Sequence, residues 1–460
     1  MCKNFRGRYL AVGIALHFVL ARNAIVAQCT FSPPAAAARP VLLYRFGVNG
    51  ERDSTTLGVI LEFTGSASGI DTVSVPVQWA GERLQSMRRL RALDADVEID
   101  SIADHALRIV KHPPGRRVRL AYELRRDWTG ALNHPYEFHP MIFGGYIEMT
   151  GANALVRPRF DIYTPIAAEF DWTGVPASWA VATSFGTADH AASSSVKAPQ
   201  ADRCQTFNGP WRDVSGALFA AGDFRVHRFT IGTKPAVLAI RGPWAFTDSA
   251  VIAEIQRNVG LVRAFWHDDN FPYFLVTWAP FDRDHGSSDG TGFTNALWIF
   301  MSKLDSLSTQ TTQLTHEAFH AWDPRRMGQE PDGEESRIGW FHEGFTTYYA
   351  DEIAYRAGLI PLESVVRRAN RDLTNFEGST DSYTRGDVIA PMARRRDSRC
   401  VARYSFARRR HAGHGANGRR AANARSHPRD GRSVHRAARP SDASRIDGRH
   451  DGAAGSALRG

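Results

Sequence analysis

The sequence predicts an α+β multidomain chain: a β-sandwich over residues 40–165, a mixed domain of strands and helices over 166–390, and a disordered tail over 391–460. Three observations lead there. Short apolar runs alternating with polar residues, and punctuated by turns, fill the first part. In the second, strand-like runs give way to helical periodicity around two motifs rich in His and Glu. From Pro391 onward the apolar period stops and arginine dominates.

The chain opens with Lys3, Arg6 and Arg8 ahead of the apolar run Tyr9–Ala21, with small residues near Ala24 and Ala27. Residues 1–27 therefore read as an export signal, and a periplasmic or secreted location is expected. The run is too short to cross a bilayer comfortably, so no stable membrane insertion is expected after signal removal. Val26-Ala-Gln-Cys29 is not a lipoprotein box, because Gln28 stands where a small residue is needed. Of the four cysteines, Cys2 leaves with the signal and Cys400 lies in the tail. Cys29 and Cys204 remain, free to form one disulfide in an exported chain if their Cα atoms approach closely enough.

In the sandwich, Leu57–Phe63 reads as a buried strand, and Val73, Val75 and Val77 alternate with Thr72, Ser74 and Pro76. Val118, Leu120, Tyr122 and Leu124 alternate with Arg119, Ala121, Glu123 and Arg125, which places one face inward. Gly65, Gly81, Pro113-Pro114-Gly115 and Gly144-Gly145 separate the runs. Past residue 166, Pro176–Ala182, Ala236–Ile240 and Phe274–Trp278 read as strands, and Ser249–Phe265 as an amphipathic helix. The Gly- and Asp-rich stretch Asp282–Gly292 reads as a loop bordering a cleft.

The chemistry lies in Leu314-Thr-His-Glu-Ala-Phe-His-Ala-Trp322 and Trp340-Phe-His-Glu-Gly-Phe-Thr-Thr-Tyr-Tyr-Ala-Asp351. His316 and His320 stand four apart, so a helix projects both from one face toward one cation. Glu343, about 22 residues further on, can supply a carboxylate from a second helix. Two imidazoles, one carboxylate and an open fourth position describe catalytic rather than structural zinc, and a single Zn²⁺ is expected. Zinc so held lowers the pKa of a bound water toward neutrality, and Glu317 between the histidines is placed as the base. Thr347, one turn past Glu343, can hold a zinc histidine from behind, and Asp351 is a weaker candidate for the same task. His342 should point away from the metal.

The two motifs resemble those of the gluzincin peptidases, and in detail the glycyl aminopeptidase family (peptidase family M61), relatives of the M1 aminopeptidases. The likeness extends to Ala321-Trp-Asp-Pro-Arg-Arg-Met327, Phe265-Trp266 and Phe271-Pro-Tyr-Phe-Leu-Val276, and spans roughly residues 40–390. It implies an N-terminal β-sandwich followed by a thermolysin-like zinc peptidase domain. It implies a peptide substrate with small N-terminal residues (Gly or Ala) released, and Tyr383 in the place of a transition-state tyrosine. Relatives carry a Gly-Gly-Leu-Glu-His-like segment whose Glu meets the substrate amine. Here the matching stretch is Gly290-Thr-Gly-Phe-Thr-Asn-Ala296, without an acid, where Gly292 and Asn295 are candidates to line the substrate.

The net charge of +9 does not mark a nucleic-acid binder. From Pro391 on there are 18 arginines against 5 aspartates, so the tail carries +13 and the remainder −4. Further helices and a PDZ-like module, which the resemblance implies, are not visible after Ile389. The tail reads as an out-of-frame or rearranged end, with a genuine basic disordered tail as the alternative. A catalytically impaired fragment that binds zinc or peptide without turnover is therefore the competing expectation.

Overall fold

The computed structural model describes residue 29 and residues 39–186, 203–282, 288–327, 335–377 and 379–396. The export-signal segment and residues 397–460 of the tail lie outside the described residues.

A six-stranded sheet begins the fold, in the order Cys204–Pro210, Pro165–Gly174, Val41–Asn49, Thr56–Thr64, Arg117–Leu124, Met87–Ala92. The expected alternation sets its inner face: Leu57, Val59, Leu61 and Phe63 point into the core, as do Val118, Leu120, Tyr122 and Leu124 across from them. A second sheet, ordered Arg157–Pro158, Ile70–Ser74, Leu107–Lys111, Glu98–Ser101, shares that core through Val73 and Val110. Cys29 and Cys204 are bonded, their Cα atoms 5.6 Å apart.

The boundary expected at 165/166 does not stand. Pro165–Gly174 runs parallel to Val41–Asn49, and Cys204–Pro210 pairs on its far side, so the first sheet reaches Pro210. Phe46 stacks on Trp172 at 4.0 Å between ring centroids, which ties the later strand to the earlier core. Of Pro176–Ala182, only the end enters a strand, Ala180–Thr183. It joins Leu218–Gly222, Tyr146–Thr150 and Met141–Ile142 in a third sheet.

The mixed domain is built on a five-stranded sheet ordered Arg225–Ile231, Lys234–Ile240, Phe274–Phe281, Ala296–Ser302, Ser288–Phe293. The three inner strands are parallel and the two edges antiparallel. Helix α1 (Asp248–Trp266) starts where the Thr247 hydroxyl accepts the Ala250 N–H at 3.2 Å. Its residues Val251, Ile255, Val259 and Val262 are buried in a core with Leu314, Ala318 and Phe319. Those three residues belong to α2 (Thr311–Phe319), the first motif helix. The expected cleft loop Asp282–Gly292 is instead largely an edge strand from Ser288. Residues Ser288–Phe293 pair with Ala296–Met301, leaving 283–287 outside the described residues.

Helices α3 (Glu335–Arg356), α4 (Leu362–Asn375) and α5 (Ser382–Arg396) complete the domain. Helix α5 runs six residues past the expected tail boundary at 390. It crosses α3 at Gly344 and Gly386, where a Cβ on either residue would overlap the other helix's backbone. Only glycine allows that approach, and it brings Tyr383 over the residues of α2.

Candidate metal centre

Helix α2 buries Leu314, Ala318 and Phe319 on one side, so the 3.6-residue period turns His316, Glu317 and His320 the other way. From α3, Glu343 meets them. The three expected ligand atoms converge: His316 Nε2 is 3.1 Å from His320 Nε2 and 3.3 Å from Glu343 Oε2, and His320 Nε2 is 3.5 Å from the same oxygen.

Both rings are held from behind. His320 Nδ1–H donates to the Asp323 carbonyl at 2.8 Å. His316 Nδ1 meets the Thr347 hydroxyl at 3.4 Å, and that hydroxyl donates to the Glu343 carbonyl at 2.8 Å. Occupying each Nδ1 with a hydrogen bond turns each Nε2 lone pair toward the gap. Glu343 Oε2 is buried there without a hydrogen-bond partner.

Three electron-rich atoms packed so closely call for positive charge between them. Burial works against the imidazolium of His320, yet Glu343 beside it lifts that ring to about 9. Burial likewise opposes ionisation of Glu343, but His320 and His316 outweigh it and hold the carboxylate far below its usual range. Burial lowers His316. A tetrahedral ion with bonds of about 2.0–2.2 Å sets ligand edges of about 3.4 Å, the spacing present here. The donor set fits zinc.

Glu317 stands beside this trio. Burial, more than any neighbour, pushes its carboxyl up to about 8, and Gln313 donates to its Oε1 at 2.6 Å. Gln313 is one turn earlier on the same face, so its spacing was open to sequence reading and was missed. The edge strand presses on the helix here: a Cβ at Gly290 would meet Glu317 Cγ at 2.7 Å. A Cβ at Gly292 would meet the Glu317 carbonyl oxygen at 2.8 Å and His320 Cβ at 2.9 Å.

Tyr383 lies across the gap, 48% exposed, its ring 5.9 Å from that of His316, and partial burial with the charges of Glu343 and Glu317 raises its hydroxyl. A cleft of about 550 Å³ opens between these elements, lined by Glu317 and Tyr383 with Asp289, Arg368, Arg371 and Asp372. Asp289 belongs to the stretch expected to border a cleft, whereas Arg368, Arg371 and Asp372 are brought there only by tertiary contact. The candidates Gly292 and Asn295 are corrected. Gly292 is covered by α2 and its carbonyl accepts from Arg325 Nη2 at 2.8 Å. Asn295 occupies the hairpin turn at φ +50°, its carbonyl accepting the Leu275 N–H at 2.9 Å. The strand residues that do face the cleft are Ser288, Asp289 and Gly290.

Asp351 does not reach a histidine; it is buried and pairs with Arg368 Nε at 3.2 Å. His342 turns from the gap as expected, and its Nδ1 bonds the buried Asp323 carboxylate. Asp323 thus fastens both His320 and α3, a role the motif alone did not disclose.

Residues 309–388 match the family model described as M61 glycyl aminopeptidase. No curated protein sequence matches the chain. Among solved structures, the chain resembles an aminopeptidase N family protein from Idiomarina loihiensis, with 15% identity and a TM-score of 0.57 over 72% of this chain. The match spans 58% of that protein's length. An M1 zinc metallopeptidase from Deinococcus radiodurans gives 14% identity and a TM-score of 0.47, covering 80% of this chain and 83% of that one. Yeast LTA4 hydrolase, solved in complex with Bestatin, gives 12% and 0.46, covering 77% and 58%. Residues 309–388, which carry the helix pair, thus match the M61 glycyl aminopeptidase model, and the fold resembles that of an aminopeptidase N family protein.

Proposed function

We propose that this chain is an exported zinc-dependent peptidase that releases small N-terminal residues, Gly or Ala, from peptides. The observation that carries it is the convergence of His316, His320 and Glu343 on one gap, with Glu317 alongside and a cleft open to it. The bonded pair Cys29–Cys204 supports an oxidising compartment, as does the signal-like N-terminus.

Zinc, when bound, supplies a Lewis acid that makes a coordinated water acidic near neutral pH. Everything else falls to the protein. Thr347 and the Asp323 carbonyl keep each histidine in the tautomer that offers Nε2. Glu317 takes the proton of the attacking water on its carboxylate and passes it to the leaving amine nitrogen, so one side chain serves both halves of the reaction. Gln313 steadies the carboxylate through Oε1. Tyr383, half exposed at the cleft and protonated near neutral pH as an ordinary phenol, donates to the oxyanion that develops on the scissile carbonyl. Peptide is the partner in this reading; nucleic acid is not.

The test is bound zinc per chain together with release of Gly or Ala from a chromogenic anilide. Glu317→Gln should keep its zinc and lose about 10²- to 10⁴-fold in kcat. A variant that keeps full activity removes Glu317 as the base. A form that holds zinc or peptide without turnover is the second reading, favoured by the exposed apolar Leu362, Val366, Leu373 and Met392 on α4 and α5. Zinc-loaded protein inert toward every peptide would select it.

A further inference from the structure

A second group of ligand-type side chains meets the same cleft through Asp289. His134 and Glu137 come from the segment around the helical turn Tyr136–Phe138, and Asp289 from the edge strand. One ligand atom from each lies within 4.8 Å of the other two. His134 Nδ1 is 2.6 Å from Glu137 Oε1 and 3.4 Å from Asp289 Oδ2. The group is closed on one side and open on the other: the Glu137 side chain is 0% exposed, Asp289 28% and His134 53%.

Two facts separate this from an ordinary acidic patch. Glu137 is wholly buried, yet its Oε2 has no hydrogen-bond partner, a cost that folded proteins seldom leave standing. Its carboxyl also faces that of Asp289; burial first, and Asp289 second, push it up to about 7. One imidazole on Oε1 and a proton shared with Asp289 are what offset the two facing carboxylates. A divalent ion would neutralise both carboxylates and take the orphaned oxygen.

We propose that His134, Glu137 and Asp289 form a second divalent-cation site, distinct from the one made by His316, His320 and Glu343. One imidazole and two carboxylates select a first-row ion such as Zn²⁺ or Mn²⁺. Ca²⁺, which takes six to eight oxygens, is poorly served by this set. The 3.4 Å edge to Asp289 already matches a four-coordinate ion, and the 2.6 Å edge widens by turning the half-exposed His134 ring. Water completes the coordination from the open side. The ion ties the segment around Tyr136–Phe138 to Asp289, the neighbour of Gly290, and so fixes the strand that presses on Glu317.

The experiment counts ions. The full chain, stripped with a chelator and dialysed against Zn²⁺ or Mn²⁺, is assayed for bound metal by mass spectrometry and for affinity by calorimetry. Wild type should hold two ions. Glu137→Gln and His134→Ala should each hold one, with the tighter affinity retained, whereas Glu343→Gln should lose the tighter ion and keep the weaker. One ion in wild type, or two in His134→Ala, overturns the site. If Glu137→Gln does not fold, His134→Ala gives the same count from a side chain half in solvent. One ion in wild type with a raised KM and unchanged kcat in Asp289→Asn for free-amine peptides also overturns it and assigns the cluster to a substrate ammonium. Loss of the tighter ion in Glu343→Gln reports on the hydrolytic site separately, so the two readings fail apart.

Discussion

Substituting Gly292 by Ala is the most direct probe of how the edge strand and the motif helix are fitted together. The new methyl would lie 2.8 Å from the Glu317 carbonyl oxygen and 2.9 Å from His320 Cβ, where ordinary contact begins at 3.4 Å. Both neighbours belong to the helix frame, so no side-chain rotation relieves the clash. The strand must withdraw by about 0.6 Å, and overpacking of this kind costs about 1–3 kcal/mol. It also shifts His320 against Glu343, and displacements approaching 1 Å at a catalytic group cost up to about 10²-fold in rate. Gly290→Ala is the matched control. There the methyl meets Glu317 Cγ at 2.7 Å and Gln313 Nε2 at 3.0 Å, both side-chain atoms. Stability should fall less, while kcat falls because the base itself is moved. Urea denaturation gives the first quantity; kcat and KM on a Gly anilide, with zinc content, give the second. Gly292→Ala with wild-type stability and kinetics would refute the fit of strand to helix on which the site depends.

Glu148 is fully buried with Oε1 accepting the Thr277 hydroxyl, and burial pushes its carboxyl from 4.5 up to about 7. A raised carboxyl destabilises the fold only when ionised: the cost is absent below about pH 4.5 and complete above about 7, where it reaches about 3 kcal/mol. Glu148→Gln should therefore gain stability at pH 8 and little at pH 4.5, and equal denaturation midpoints for the two proteins at pH 8 would contradict this. Thr347→Val removes the group behind His316 Nδ1 and should weaken zinc binding by about 10-fold, read by chelator competition. Tyr383→Phe should lower kcat by about 10²-fold with KM little changed; a rise in KM alone would make Tyr383 a binding residue.

Local periodicity carried much of this in the sequence. The four-residue step from His316 to His320 needs only a helix to place both rings on one face, and α2 has apolar Leu314, Ala318 and Phe319 on the other. The alternation in Val118–Leu124 likewise needs only a strand. These are properties of neighbours along the chain. The pairing of Pro165–Gly174 with Val41–Asn49 is different, because alternation marks a strand's inward face without naming its partner. Alternation alone therefore ends the sandwich at 165. The Gly- and Asp-rich stretch before Phe293 read as a loop for a related reason: its edge pairing and the helix above it favour close-packing glycines, which in isolation signal turns.

The residue types of the centre, their spacing on α2 and the acid on α3 were thus set by sequence alone, since each follows from the geometry of one helix. Only the tertiary structure decided that Glu343 meets both imidazoles, that the Asp323 carbonyl and Thr347 orient them, and that Asp289 shares a wall with His134 and Glu137. Those contacts join residues distant along the chain. Helix crossings such as Gly344 on Gly386 create them, and no local period encodes a crossing.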